Sequence, residues 1–333
     1  MAESNYQSKS DVKIFLGTEA NFGTPTVAIT GDWFQLPVID WDLPQPFSDV
    51  EVGSPKAGTR VPLTNQAVHR PDLAVYPGSL TMYGTPTAML KALQLLFEDG
   101  SSPAALAGNY AYPTASYKHG VASTSQMTIL GQGAGPDTTL NDHVCKSCVA
   151  TSVEMGQDIN NEGGNLIVKV NFVTFYQPTY EDFGNPEAYA TNITQDTANP
   201  KNIRDLTTIT INSEALVPIS WNLTISRTIN RILWSDASTF DPYGYEMDGV
   251  FDVSGNIVVK NDDSVHDLLA SFKNSTAIAL ALAEASNFTL SMPTILLNKA
   301  ALVQEETLKQ DIPFLGFGLA SSITDNLFSL TIA

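Results

Sequence analysis

Two cysteines and a histidine within six positions, His143, Cys145 and Cys148, are the densest set of reactive side chains in this sequence. Two thiolates and an imidazole supply three of the four positions of a tetrahedral zinc site, and a Cys-x-x-Cys pair can cycle between thiol and disulfide. Neither chemistry is complete here. These are the only two cysteines, no further Cys or His pair closes a zinc site, and the flanking pattern lacks the βαβ context in which a redox motif opens a helix. On a regular strand, residues three apart face opposite sides, which prevents a relaxed disulfide. The expectation is two small, buried apolar residues.

The other histidines, His69, His119 and His266, stand in no metal or nucleophile motif, and neither a Gly-x-Ser-x-Gly elbow nor His-Glu-x-x-His occurs. Gly131-Gln132-Gly133-Ala134-Gly135 has the glycine density of a phosphate loop. It leads into Pro136-Asp137 with no lysine and no helix, so it reads as a turn between strands. Asp248, Asp252, Asp262 and Asp263 cluster without the spacing of a calcium loop and read as solvated turns. Asn-x-Ser/Thr triplets begin at Asn192, Asn222, Asn274 and Asn287, but they matter only in a secretory route, and the polar stretch Met1 to Lys9 offers no signal peptide. The expectation is a protein that is not an enzyme and carries no metal or cofactor.

The elements that would position any site are mostly strands. Apolar and polar residues alternate with period two in Val149 to Met155, Leu166 to Phe172, Ile219 to Ile225 and Ile257 to Lys260, bounded by turn pairs such as Gly163-Gly164 and Asp248-Gly249. Helical spacing is confined to Thr87 to Phe97 and Ser264 to Phe272, each opened by a capping Thr or Ser. A mostly β fold follows, a sandwich or barrel with flanking helices. Gln177 to Asp205, rich in Pro, Asn, Thr and Tyr, reads as a linker, and Asp11 to Val27 as an irregular docking arm. The longest uncharged apolar stretch, around Thr276 to Leu282, is too short to cross a bilayer.

The scaffold reads as one module written twice. Leu36 to Leu43 matches Val217 to Leu223 with a one-residue gap, aligning Trp41 with Trp221 at an offset of 180. Gly78-Ser79-Leu80-Thr81-Met82 matches Gly255-Asn256-Ile257-Val258-Val259 at an offset of 177, and each is followed by a helical apolar pattern. A third pair of landmarks, Met127-Thr128-Ile129 with Phe288-Thr289-Leu290 and Asn165-Leu166-Ile167 with Asn326-Leu327-Phe328, gives an offset of 161. Two domains are expected, residues 1–185 and 186–333. The net charge of −18 divides evenly, with 18 acids and 9 bases before residue 186 and 17 acids and 8 bases after it. Such a surface lacks the basic footprint of nucleic-acid affinity.

The strand Val217 to Arg227, the strand, turn and helix of Phe251 to Phe272, and the strand Phe288 to Pro293 resemble the tail-tube proteins of long-tailed bacteriophages. Gly17 to Thr24 resembles the opening of many such proteins. The resemblance is one of pattern and order over most of the chain, without a chemically obligatory residue. It implies two tandem tail-tube-like β-sandwich or barrel modules, each with one flanking α-helix, whose inner sheets join around a ring. Two fused modules imply rings of three chains with six modules. It also implies a structural protein of the virion tail, assembled in the host bacterial cytoplasm and stacked through loops such as Asp42 to Leu63 into a tube that conducts ejected DNA without binding it specifically. Implied partners are further copies of itself and the tail terminator, tape measure and distal tail proteins, with no membrane.

On that reading Asp40, Asp42, Glu154 and Asp158 are candidates to line an acidic lumen, because they flank the inner-sheet candidates. The alternative is a β-sandwich virion decoration or adhesion protein that binds a surface or glycan through exposed aromatics. Trp33, Trp41, Trp221 and Trp234 are the available residues, and the matching repeat positions of Trp41 and Trp221 fit core packing better.

Overall fold

The computed structural model describes residues 12–21, 24–25, 33–46, 49–52, 67–70, 75–96, 106–111, 117–119, 127–133, 142–174, 176–181, 193–232, 244–263, 265, 278–284, 288–298, 301–304, 308–317 and 326–332. They form a mostly β structure, one large sheet of 21 strands that is not closed, beside a two-stranded ribbon of Asp49–Val52 and Ala67–Arg70. Among the described residues every ladder is antiparallel except Trp33–Gln35 beside Ile193–Gln195.

The strands that carry the sheet in the first half are β1 (Lys13–Asn21), β2 (Val38–Asp42), β3 (Tyr76–Tyr83), β4 (Met127–Gln132), β5 (Asp142–Asp158) and β6 (Ile167–Thr174). Those of the second half are β7 (Leu206–Ile211), β8 (Pro218–Ile232), β9 (Gly244–Lys260), β10 (Ile278–Glu284), β11 (Phe288–Leu297), β12 (Ala301–Gln304) and β13 (Leu308–Gly316). In space the first set runs β1-β4-β5-β6-β3-β2. The second runs β7-β10-β11-β13-β9-β8, with β12 continuing β11 along β13. Both visit first, fourth, fifth, sixth, third and second strands, counting β11 and β12 as one. The two sets are joined where Ser152–Asp158 of β5 pairs with Ser220–Ser226 of β8.

Residue-level details repeat along with the order. Trp41 is opposite Leu80 in the β2–β3 ladder, and Trp221 is opposite Ile257 in the β8–β9 ladder. Both ladders shift register at the same place, between Val38 and Asp40 and between Pro218 and Ser220. Tyr83 N–H donates to Pro37 O at 3.1 Å, and Lys260 N–H donates to Val217 O at 3.2 Å. These matches place Leu36 against Leu216 and remove the gap expected between the two segments, since the shared bulge already accommodates the extra residue.

Glycine marks a second shared feature. A Cβ on Gly78 would lie 2.4 Å from Phe172 Cζ and 2.9 Å from Asp42 O, and one on Gly255 would lie 2.2 Å from Phe314 Cζ and 2.5 Å from Asn222 O. In each ladder the phenyl ring of the neighbouring strand therefore covers a glycine, filling space that any side chain would occupy. Phe172 and Phe314 set β6 against β13 at an offset of 142. The expected third landmark at 161 is thus corrected: Asn326–Ile332, numbered β14, pairs with β11 and with Leu106–Ala111 and has no place corresponding to β6.

The core lies against one face of this sheet. β6 alternates half-exposed and buried residues along its whole length, and Val168, Val170 and Phe172 join Leu80, Met82, Val153, Leu223, Ile225, Ile257, Ile312 and Phe314 in one apolar cluster. Each such side chain contributes about 1.5–3 kcal/mol. Helix α1 (Pro86–Leu96) packs on β5 and β6 through Ala88, Met89, Ala92, Leu93 and Leu96. Thr85 Oγ1 accepts from Ala88 N–H at 3.2 Å, and Pro86 opens the first turn where no N–H is needed, so the helix begins one residue before the expected Thr87. Of the expected helix Ser264 to Phe272, Val265 is helical and the rest lies outside the described residues.

Two segments differ from expectation. The described part of Asp11 to Val27 is no irregular arm, since Lys13–Asn21 is a strand paired with β4 and with Trp33–Gln35. Ile14 and Leu16 face the main core while Phe15 faces a smaller one with Trp33, Leu130 and Val144, so burial on both sides erased the alternation that signals a strand. The described parts of Gln177 to Asp205 are docked on the first half, with Thr179–Glu181 paired to β5 and Lys201 O accepting from Leu166 N–H at 2.6 Å. The expected boundary at residue 185 lies outside the described residues.

Along one stretch of its length strand β5 changes partner, from β4 up to Cys148 to β6 from Val149 onward. Ser147, at φ 50°, is the bulge that turns it from one to the other. Glu19 on β1, 6% exposed, holds that corner by accepting from Ser147 N–H, from Ser147 Oγ at 2.7 Å and from Thr128 Oγ1 at 2.8 Å.

Replacing Glu19 by Ala leaves the corner's donors buried without this acceptor and is expected to lower stability by about 3 kcal/mol in urea unfolding. An unchanged midpoint would remove the corner's importance. Gly255→Ala, which drives a methyl into Phe314, is expected to cost about 1–3 kcal/mol by the same measurement.

Candidate assembly surface

The joined strands β2, β3, β6, β5, β8 and β9 present two unlike faces, read directly from the register. One rung carries Trp41, Leu80, Val170, Val153, Ile225 and Val253, and all but the half-buried Trp41 are at most 3% exposed. The adjacent rung carries Asp40, Thr81, Lys169, Glu154, Thr224 and Ser254, half or fully exposed. The next on that side carries Asp42, Ser79, Asn171, Ser152, Ser226 and Asp252. One face therefore packs on the core and the other is a continuous polar surface.

All four acids singled out from the sequence lie on that polar face. Asp40 and Asp42 are exposed on β2, and Glu154 and Asp158 are half-exposed on β5. The same face adds Asp252 and Asp311, against which stand Lys169, Lys260 and Lys309. Carboxylates prevail, so the surface potential is negative. Asn171 Nδ2 donates to Ser152 Oγ at 2.8 Å and to Glu154 Oε1 at 3.4 Å, fixing side chains across the β5–β6 ladder. A cavity of about 370 Å³ opens here, lined by Thr81, Glu154, Asp158, Lys169 and Thr224.

The β5–β8 junction has one specific lock that sequence reasoning missed. Gln157 and Trp221 are directly opposite, and Gln157 Oε1 accepts the Trp221 indole N–H at 2.7 Å. Gln157 Nε2 donates in turn to Lys201 O at 3.1 Å, so this 4% exposed amide is satisfied at both ends. Trp221 is 3% exposed and Trp33 is 2% exposed. Both are core residues, which leaves no aromatic platform at either; Trp234 lies outside the described residues.

Among the described residues, two of the strands with a single ladder neighbour are β2 and β12. β2 has β3 as its ladder neighbour, and β12 has β13. Leu302 on β12 is 48% exposed, whereas Met155, which occupies the corresponding position on β5, is 2% exposed beneath the β8 junction. An apolar side chain at an open strand edge is an association hazard unless a partner covers it.

The cysteines correct the expectation of opposite faces. The bulge at Ser147 adds a residue between Cys145, opposite Ile129, and Cys148, opposite Met127, so both thiols enter the same core cluster. Cys148 Sγ donates to Cys145 O at 3.3 Å. The hydrogen bond from Cys148, with His143 adding to it, draws the Cys145 thiol down to about 6 against the effect of burial, while burial pushes Cys148 up. Both are reduced and fully buried. Among the described residues no three His, Cys, Asp or Glu side chains converge on a possible metal position.

Trp221→Phe keeps an aromatic ring in the core and deletes the indole N–H, leaving Gln157 Oε1 buried without that donor. An expected loss of about 2 kcal/mol in urea unfolding checks the lock, and a wild-type midpoint would contradict it. No protein-family model matches the sequence and no curated protein does, so the functional reading rests on this geometry.

Proposed function

We propose that this chain is a structural subunit of a bacteriophage tail tube, built from two tandem modules and closing as a ring of three chains around a negatively charged lumen. The observation that carries the reading is the internal β5–β8 junction. It joins the fifth strand of one six-strand set to the second strand of the next, side by side in one continuous sheet. Two strands of that sheet with one ladder neighbour each, β12 and β2, are the same two kinds of strand. A third copy of the set, added by the same operation, would pair its second strand with β12, and repeating the operation makes either a closed ring or an open helix.

Three further features support a ring with this face inward. The matching strand order and paired glycine–phenylalanine contacts fit two fused copies of one sandwich-like module. Closure pairs the outer sides of β2 and β12, which otherwise have to be protected from stray association. The polar face carries Asp40, Asp42, Glu154 and Asp158 on its exposed side, and a carboxylate-rich wall repels DNA phosphates, letting a duplex slide without sticking. Catalysis, a metal and a cofactor have no part in this role. Stacked rings would meet tail terminator, tape measure and distal tail proteins in the virion.

Negative-stain microscopy of the purified chain at rising concentration is expected to show hollow rings or tubes with threefold mass in sedimentation. A strictly monomeric globule at every concentration would contradict the reading. Replacing Glu154 and Asp158 by Lys is expected to slow DNA ejection from assembled particles, and unchanged kinetics would take these acids out of the lumen.

A further inference from the structure

We infer that copies of this chain stack head to tail through the two ends of β9 and β13, the Val217, Lys260 and Leu308 end of one copy meeting the Asp252, Leu315 and Phe317 end of the next. The inference rests on the tube reading and adds the surface, and the rotation, by which one ring meets another. In the joined sheet, large apolar side chains that stay exposed gather where strands stop. At one end Ile159 follows β5, Val217 precedes β8 and Leu308 opens β13. Backbone bonds draw this end into one row, as Ile159 N–H donates to Ile219 O at 3.1 Å, Lys260 N–H to Val217 O at 3.2 Å and Asn261 N–H to Leu308 O at 3.2 Å. At the other end Val75 precedes β3, and Leu315 and Phe317 lie where β13 stops, with Phe317 N–H donating to Thr294 O at 3.0 Å.

Exposure makes both ends surfaces of the single chain. Val217 is 58% exposed, Leu308 49%, Leu315 41% and Phe317 40%. The β8–β9 pair runs on past Asp252, yet it leaves Leu315 and Phe317 open beside it. Covering such side chains with another apolar surface removes them from water and favours association. The charges decide which surface fits. Asp252 and Lys260 are both exposed on the polar side of β9, about 27 Å apart along the strand. Gly316 is opposite Val253, which sets Asp252 beside Phe317, and Lys260 bonds to Val217, so each charge adjoins the apolar side chains of its own end. Among the described residues neither has an ionic partner within the chain. A second copy is therefore the occupant, because a shift along the strands brings its apolar, positive end onto an apolar, negative one.

The first half lacks this pair of charges. At the offset of 177 that relates Gly78 to Gly255, Asp252 corresponds to Val75 and Lys260 to Tyr83. Lys260 of one ring therefore meets a carboxylate at this strand position only over the second half of the next chain. Rings whose two modules share a strand order thus stack with a threefold, not a sixfold, choice of rotation.

The test compares wild type, Lys260→Glu, Asp252→Lys, the double exchange and Val217→Asp, each by thermal melting of the single chain, by sedimentation for ring mass and by microscopy for tube length. All four variants are expected to melt as wild type does, because the changed side chains are exposed, and to form rings of three chains. Lys260→Glu and Asp252→Lys should each raise the concentration at which rings elongate into tubes by at least about 3-fold. The double exchange should recover most of that loss, since it restores opposite charges. Val217→Asp should give single rings that do not stack. Wild-type elongation in both charge variants, or a double exchange no better than either single change, overturns the contact between Lys260 and Asp252 while the tube reading stands. Tubes of normal length from Val217→Asp overturn the apolar contact in the same way. A wild-type chain that forms rings but no tubes overturns the stacking surface and leaves ring closure intact, whereas one that never forms rings overturns both.

Discussion

The constraint on which this structure depends is that a β-strand has two sides of hydrogen-bonding groups and each must find a partner. Inside the chain the solution is visible where Ser152–Asp158 lies against Ser220–Ser226, merging two six-strand sets into one sheet. Water satisfies an open edge only at the risk of indiscriminate pairing. A protein that uses the open edge for assembly turns that risk into specificity, provided that register is set by side chains. The bulges shared by β2 and β8, the glycines under Phe172 and Phe314, and the Gln157–Trp221 hydrogen bond are such devices.

The two faces of the joined sheet divide the work. The apolar face holds α1 and the core, and gives the sheet its rigidity. The other face is polar from β2 to β9 and contains no cluster of converging nucleophiles or metal ligands among the described residues. Its chemistry is a diffuse excess of carboxylates with a few lysines among them, suited to repelling a polyanion and unsuited to gripping one. The buried carboxylate of Glu19 serves a different purpose, tying β1 to the corner at Ser147 where β5 leaves one ladder for the other.

Much of this was legible in the sequence where a single rule governed the residues. Period-two alternation marked β6 and β8 because one face of each is buried and the other is not. The tryptophan landmark at 41 and 221 and the glycine landmark at 78 and 255 stood out because each occupies a place that few residues fit. Asp40, Asp42, Glu154 and Asp158, singled out because they flank sheet strands, share one face because β2 and β5 alternate sides along the ladders. What failed was legible only in three dimensions. β1 is buried on both sides and so has no alternation. The bulge at Ser147 reverses the parity on which the separation of Cys145 and Cys148 was argued. The sixth strands of the two sets, β6 and β13, diverge in sequence while keeping corresponding partners, so the similarity of Asn165-Leu166-Ile167 to Asn326-Leu327-Phe328 pointed to the wrong strand. The Gln157–Trp221 lock spans 64 residues, and no local pattern announces it.

The account's central claim is that the edge of one chain continues the sheet of the next as β8 continues β5. Cryo-electron microscopy of the assembled protein at side-chain resolution tests it most directly. The predicted result is β12 of one chain paired antiparallel to the β2 edge of its neighbour, with the polar face turned to a central channel. Particles in which these edges stay apart, or in which the acidic face is turned outward, would contradict it.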